Sequence, residues 1–512
     1  MSAAQVELEL KYDATDLPAV AAWLDERFPP DMGGWTDARL TDRYFDTPDY
    51  ALARAGYGAR LRRQDGRLTV GLKRDVKVDG PRHRRRELDG PASAALDPAR
   101  WPASEPRDIV EQLCGGRPLV ERFSLRQSRR ERRIDVNGAE LLLSLDDVRV
   151  AVGGRQVGRL RGLEVELVGG RKRALARLAR QLEASGLVEA QPLSKMQLGH
   201  GLAAAELPLD STEPFAEAGR KVLARHLLRM LDREQLVRRD DTLAIKQMRV
   251  ATRRMRSVWR LFDGAYRRSE QKRYLAELRA VADRLGAVRD LDVLLEGLPA
   301  DPALAPLGET WRAERAAAMA QLLAHLDSAA YRRFVADHRG FVGSVGHATA
   351  RRLASAHLDE VAGDRLLAAY AALRESDPDR FDDDTALHVL RINGKRLRYA
   401  LETLRELTPA APWERLHARL IALQDLLGEI HDGVVAAELA KRWLAEKGAG
   451  ANELARAAVA DYSARLRDEP LRGKGAVGRA WRAVSGRGFE RDLRRVVAAL
   501  GGPAGRGELT DS

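Results

Sequence analysis

Two short stretches, near the two ends of the first 170 residues, set carboxylates two apart between apolar residues: Val6-Glu7-Leu8-Glu9-Leu10-Lys11-Tyr12 and Leu163-Glu164-Val165-Glu166-Leu167. On a β-strand, residues two apart share a face. Glu7, Glu9 and Lys11 therefore form one row, and Glu164 and Glu166 another, each backed by hydrocarbon. Cations obey the same spacing: Arg60 and Arg62 in ARLRR, Lys73 in LTVGLKR, and Arg85 beside Glu87 in RHRRREL. Asp146 ends LLLSLD. The ordinary reading of each row is a solvated face over a half-buried sheet. A barrel that turns its charge inward is the other reading. Its lumen would offer Glu7, Glu9, Asp146, Glu164 and Glu166 as hard oxygen ligands for Mg²⁺ or Mn²⁺. It would offer Lys11, Arg60, Arg62 and Lys73 to phosphate oxygens. Facing sets of opposite charge call for a ligand between them, and a polyphosphate chelated to a divalent cation has the right charges.

A different pattern carries charge farther along the chain. In KQMRVATRRMRSVWRLF, helical spacing puts Lys246, Arg249, Arg253, Arg256 and Arg260 on one face, opposite Ile245, Met248, Met255, Trp259 and Phe262. HVLRINGKRLRYALETL repeats the design with His388, Arg391, Lys395 and Arg398. Each stretch is followed by a second matching one, LGAVRDLDVLL and LGEIHDGVVAA, with 41 positions from Arg249 to Asp290 and from Arg391 to Asp432. The shared offset marks an internal duplication. One basic helix face is ordinarily solvated, but like charges stacked at helical spacing cost stability, and their recurrence at matching positions points to a polyanion.

These residues need two kinds of scaffold. Residues 1–200 alternate over 6–12, 41–46, 58–64, 68–74, 84–89, 120–135, 140–151 and 160–168, with helix-like segments near 16–28 and 171–185. Gln64-Asp65-Gly66-Arg67 reads as a hairpin turn. Eight such antiparallel strands could close into a barrel. Beyond about residue 206, only 3.6-residue periodicity remains, enough for eight to twelve helices of a bundle. The expected layout is a barrel domain over 1–205, a linker over 206–217, a helical domain over 218–500 and a disordered tail over 501–512. The fold class is α+β.

Length and composition agree: 512 residues exceed one ordinary core. The net charge of +12 suits a polyanionic partner. It is spread, with 35 Lys and Arg against 30 Asp and Glu in residues 1–200, so chosen faces must create any anion site. The lone Cys114 excludes an intrachain disulfide and a cysteine-based zinc cluster. Neither a membrane-length apolar run nor a signal-peptide layout is present, and the expected location is the cytoplasm.

The motifs also match known families in order. VELELKY, DRYFDTPDYAL, GARLRR, VGLKR, RRREL, SLDDV, GLEVELVGG and LSKMQLG resemble the CYTH superfamily, the triphosphate tunnel metalloenzymes, over nearly all of residues 5–200. The resemblance implies an eight-stranded antiparallel tunnel that hydrolyses a triphosphate with a metal ion. By it, Glu7, Glu9, Glu164 and Glu166, with Asp146 nearby, would hold metal. Lys11, Arg60, Arg62, Lys73 and Lys195 would grip phosphates, and Arg85 and Glu87 would be paired tunnel residues. A further tunnel arginine falls in RQSRRERR, as Arg129 or, next, Arg130. MRVATRRMR with LGAVRDLDV, and LRINGKRLRYALE with LGEIHD, resemble the CHAD domain, an all-helical duplicated module implied to bind inorganic polyphosphate. The family commonly has histidine in both copies, and here Lys246 stands where the second copy has His388.

The expectation is hydrolysis of inorganic triphosphate to diphosphate and phosphate, with polyphosphate bound by the helical half and possible association with polyphosphate granules. Hydrolysis of nucleoside or thiamine triphosphates on the same fold is the enzymatic alternative, and a non-catalytic granule scaffold the other. No aromatic cluster for a base or ring stands out. The basic rows also lack the interleaved aromatics of a nucleic-acid binder.

Overall fold

The computed structural model describes residues 5–28, 33–346, 353–376 and 384–501, with the side chains of 5–7, 75–78, 85, 384 and 467–474 excepted. The expected tail lies almost wholly outside these residues. The chain divides into two compact units, 1–207 with 336–348, and 208–335 with 349–512.

The first unit is built on eight long strands: β1 (Gln5–Asp13), β2 (Thr36–Asp46), β3 (Gly58–Gln64), β4 (Arg67–Asp79), β5 (Arg82–Pro91), β6 (Val120–Asp135), β7 (Glu140–Val152) and β8 (Arg155–Gly169). All eight expected strands form. Each pairs antiparallel in the order β5-β4-β3-β2-β6-β7-β8-β1, and β1 closes the circle against β5, so no long strand is left with an open edge. Asp65 and Gly66, both at positive φ, make the two-residue turn from β3 to β4.

Alternation decides what faces in. Leu10 and Tyr12 of β1, Leu143 and Leu145 of β7, and Leu163 and Val165 of β8 point outward. There they bury under Val20 and Leu24 of helix Leu17–Arg27 and Leu175, Leu178 and Leu182 of helix Lys172–Ser185. On the other flank Leu61, Val70, Leu72 and Leu88 bury under Trp101 and Val110, the latter from a helix Glu105–Cys114 absent from the sequence reading. Each such side chain contributes about 1.5–3 kcal/mol. The opposite strand faces, which carry the charged rows, are left to the lumen.

One end of the lumen is filled. Tyr44, Phe123, Leu125, Val148 and Val150 form an apolar layer with Ala203 of helix Lys195–Glu206. A β-carbon on Gly199 would lie 2.3 Å from the Phe123 ring and one on Gly158 2.6 Å from Leu202, so glycine is what lets this helix seat. A capping box at Ser194 and Gln197 fixes its start.

The second unit is helical throughout its described residues. The two copies of the duplication are Thr242–Leu261 with Arg268–Gly297, and Asp384–Thr403 with Ala410–Lys447. The two basic helices, Thr242–Leu261 and Asp384–Thr403, pack on each other.

Candidate active site: the charged lumen of the barrel

The lumen carries two linked clusters. In the first, strand register sets Glu9 opposite Glu166 and Lys11 opposite Glu164 across β1 and β8. Lys11 Nζ donates to Glu9 at 2.9 Å and also to Glu164. Lys195, the first residue of its helix, donates to Asp146 at 2.5 Å and lies 2.8 Å from Glu164. Arg129 forks onto Asp146 at 2.7 and 2.9 Å and reaches Glu164 at 3.1 Å. Three cations thus hold Glu164 and Asp146. Burial pushes the Glu164 carboxyl up, yet Lys11, Lys195 and Arg129 outweigh it and leave it well below the usual carboxylate range. Asp146 is lowered for the same reason, burial being outweighed by Lys195 and Arg129. Both stay ionised at neutral pH, which makes them holders of charge rather than proton donors.

In the second cluster, Asp42 is 1% exposed and accepts from Arg62 Nε and Nη2 at 2.7 and 2.8 Å and from Gln127 at 2.8 Å. Arg60 Nη1 stands 3.4 Å away. Burial raises the Asp42 carboxyl, and Arg60 and Arg62 bring it down to about 2. Lys73 donates to Glu87, and Arg60 lies 3.8 Å from the same carboxylate. Asp42 and Gln127 escaped the sequence reading. The available signal was strand parity: Asp42 shares a face with Tyr44, and Gln127 with Arg129.

Of the expected lumen residues, Lys11, Arg60, Arg62, Lys73, Glu87, Arg129, Lys195, Glu9, Glu164 and Glu166 line one cavity of about 690 Å³, with Asp146 bonded to its wall. Glu7 and Arg85 sit opposite each other in the β1–β5 register, and their side chains lie outside the described ones. The arginine ambiguity resolves by face: Arg129 points in, whereas Arg130 lies over the Trp35 ring at 5.2 Å. Aromatic groups line this cavity as well, against the sequence reading, since Tyr44, Phe45, Tyr57 and His200 come from distant segments. Each is engaged: Tyr44 stacks on Phe123 at 4.7 Å, His200 meets the same ring edge-on, Phe45 meets Trp101, and Tyr57 lies under Arg74.

Four carboxylates on one lumen wall are the donors that Mg²⁺ or Mn²⁺ prefers, so the residues fit a divalent metal. Among the described residues they are not gathered into a ready metal cluster. The bridging cations Lys11, Lys195 and Arg129 stand between them instead.

In the second unit, Arg249, Arg253, Arg391, Lys395 and Arg398 from the two packed helices influence one another. Burial, then Arg391, Arg253, Arg249 and Arg398, depress the Lys395 ammonium to about 7. Arg253 and Arg398 also lie over the Tyr399 ring, at 5.4 and 5.0 Å. The 41-residue offset becomes a contact in the first copy, Arg249 to Asp290 at 3.3 Å. Arg256 stands with Arg260 and Arg279 instead, Lys246 with Glu296, and His388 beside His431 at 6.0 Å.

Comparison with known proteins places these two patterns. The CYTH domain matches residues 5–198 and the CHAD domain residues 221–441. The Mycobacterium tuberculosis (strain H37Rv) protein Rv2226 is 28% identical over 426 residues, spanning 77% of this chain and 80% of its own. The CHAD domain from the plant Ricinus communis is 24% identical, with a TM-score of 0.45, over 54% of this chain and 94% of its own. HpAC1 from Hippeastrum, described as having a dominant triphosphatase activity, is 21% identical, with a TM-score of 0.31, over 38% of this chain and 94% of its own. Among the described residues no helix is long and apolar enough to cross a membrane.

Proposed function

Since residues 5–198 belong to the CYTH family and residues 221–441 to the CHAD family, we propose that the barrel hydrolyses inorganic triphosphate to diphosphate and phosphate and that the helical unit binds inorganic polyphosphate. The observation that carries the first half is a single cavity in which seven cations oppose a set of carboxylates while every aromatic group on its wall is already engaged. Phosphate has partners there, and a nucleobase or thiazole ring does not. A pure anion binder would gain nothing from the acids, which disfavours the granule scaffold.

In this reading Arg60, Arg62 and Lys73 grip one part of the chain, and Lys11, Arg129 and Lys195 another. Their charge offsets what builds on the transferring phosphoryl group and the leaving diphosphate. With phosphate oxygens on these cations, Glu9, Asp146, Glu164 and Glu166 would be the residues to hold a divalent ion. When bound, that ion withdraws charge from the leaving group and lowers the pKa of a coordinated water. Ionised Glu164 and Asp146 keep the site electrostatically set throughout.

Phosphate release with Mg²⁺, from tripolyphosphate and ATP in parallel and with Glu9→Ala as control, tests the reading. Faster release from tripolyphosphate, lost by about 100-fold or more in the variant, is expected. Preference for ATP would overturn the substrate assignment, and no release from either would remove the enzyme.

The helical half makes a separate prediction. Burial and the neighbouring arginines depress the Lys395 ammonium to about 7, and a bound polyanion favours its charged form. Binding therefore takes up a proton, and affinity falls as pH rises from 6 to 8.5. Titration calorimetry should find that fall about thirtyfold or less, and flattened in Lys395→Arg, which stays charged. Equal slopes would show that Lys395 does not face the ligand.

A further inference from the structure

The first unit takes in a piece of chain from the middle of the helical half: residues 336–348 cluster with 1–207, apart from their neighbours in sequence. The end of the helix Ala329–Gly343 and the turn after it run GFVGSVG, a glycine every third residue. Two of these glycines lie backbone on backbone. A β-carbon on Gly343 would fall 2.3 Å from the Gln197 carbonyl oxygen, and one on Gly346, at φ +75°, 2.6 Å from the Ala53 main chain. Gln197 belongs to the first turn of the helix that presents Lys195, and Ala53 to the short helix Ala51–Arg54. Between these two anchors, Gly343, Ser344 and Val345 line the lumen cavity.

The two anchors set the segment beside Met196, which precedes Gln197, and near Tyr57, which follows the short helix of Ala53. Both are uncharged, with Arg74 of β4 over the Tyr57 ring, and the other cations of the lining come from β1, β3, β4, β6 and the start of the helix at Lys195. An organic group esterified to a triphosphate would be received beside these uncharged groups, because sugar and base gain little among ammonium and carboxylate groups. Gly343, Ser344 and Val345 occupy that place. Pinned at both ends by contacts only glycine allows, the segment is a fixed wall rather than a flap.

We propose that Gly343-Ser344-Val345 is the specificity-determining wall of the lumen, restricting it to a bare polyphosphate and turning away esterified triphosphates. The proposal rests on the triphosphatase reading given above. In the full chain, Val345→Gly removes bulk from this part of the lining, and Ser344→Trp adds bulk to it. For Val345→Gly the ratio of kcat/KM for tripolyphosphate to that for ATP should fall by about tenfold. For Ser344→Trp the tripolyphosphate KM should rise by about tenfold, with a smaller change in kcat. Retained polyphosphate binding and cooperative unfolding show that each variant has folded. An unchanged ratio in Val345→Gly together with an unchanged KM in Ser344→Trp overturns the wall. Failure of the wild-type chain to release phosphate from tripolyphosphate instead overturns the triphosphatase reading beneath it.

Discussion

Glu164→Gln should lower phosphate release from tripolyphosphate by about 10²–10³-fold while leaving the barrel folded. The change is isosteric and removes only a charge, but that charge is shared. Lys11, Lys195 and Arg129 all meet this carboxylate. Its ionised form is favoured by the three cations over the opposing effect of burial. In the proposed chemistry the variant loses a metal-holding oxygen charge and also leaves three neighbouring cations with less to balance them. Those cations will hold phosphate more tightly, so KM should fall or stay level while kcat collapses. The depressed carboxyl adds stability that is present above the ordinary Glu pKa and lost as pH falls below it. The variant should therefore be less stable than wild type at pH 7, with the gap closing in acid. Turnover within tenfold of wild type would remove Glu164 from the catalytic set.

Asp42→Asn acts through other residues, and its first effect is on stability. A carboxyl held at about 2 in the fold and near its ordinary value when unfolded contributes about 2 kcal/mol at pH 7. The sign follows from the depressed pKa: the contribution is complete above about pH 4 and disappears as pH falls through about 2. Urea unfolding at pH 7 should therefore find the variant about 2 kcal/mol weaker, with the difference shrinking between pH 4 and 2. Asp42 orients Arg62 by a two-point fork and draws Arg60 toward it. Loss of the fork leaves both guanidiniums free to turn, so tripolyphosphate KM should rise by about tenfold or more. Restoration by Asp42→Glu is not expected, because the longer carboxylate cannot keep both bonds in a site this enclosed. A stability loss with an unchanged KM would confine Asp42 to a structural part.

Much of the barrel was legible because alternation is a local signal. Glu9 and Lys11 announce their face by the leucines that alternate with them, Leu8 and Leu10, and closure follows from eight such strands that need no edge. The RQSRRERR run resisted the same method, because it has arginine on both faces and nothing apolar to set its phase. Only the pairing of Arg129 with Asp146 across β6 and β7 decides it. Asp42 was hidden by its neighbours, since Tyr44 on the same face is apolar and lies in the filled end of the lumen. The helix Lys195–Glu206 was legible as a motif but not as a helix. Its glycines and alanines carry little apolar periodicity, small size being what lets it enter the barrel. The segment 336–346 lay beyond reach for a different reason: its place depends on contacts with residues about 145 and 290 positions away. The glycine triplet in GFVGSVG was the one local hint of close approach. In the helical half, the duplication foretold that two basic rows exist. That four of their members converge on Lys395 required the packing of the two helices.

The apolar layer of Tyr44, Phe123, Leu125, Val148 and Val150 gives the barrel a blind end, and this sets its traffic. A strand cannot be threaded through a blind passage, so in the proposed reaction the triphosphate is presented tip first. Product must back out of the doorway that substrate came in by. Diphosphate is then an obligatory competitor for the entrance.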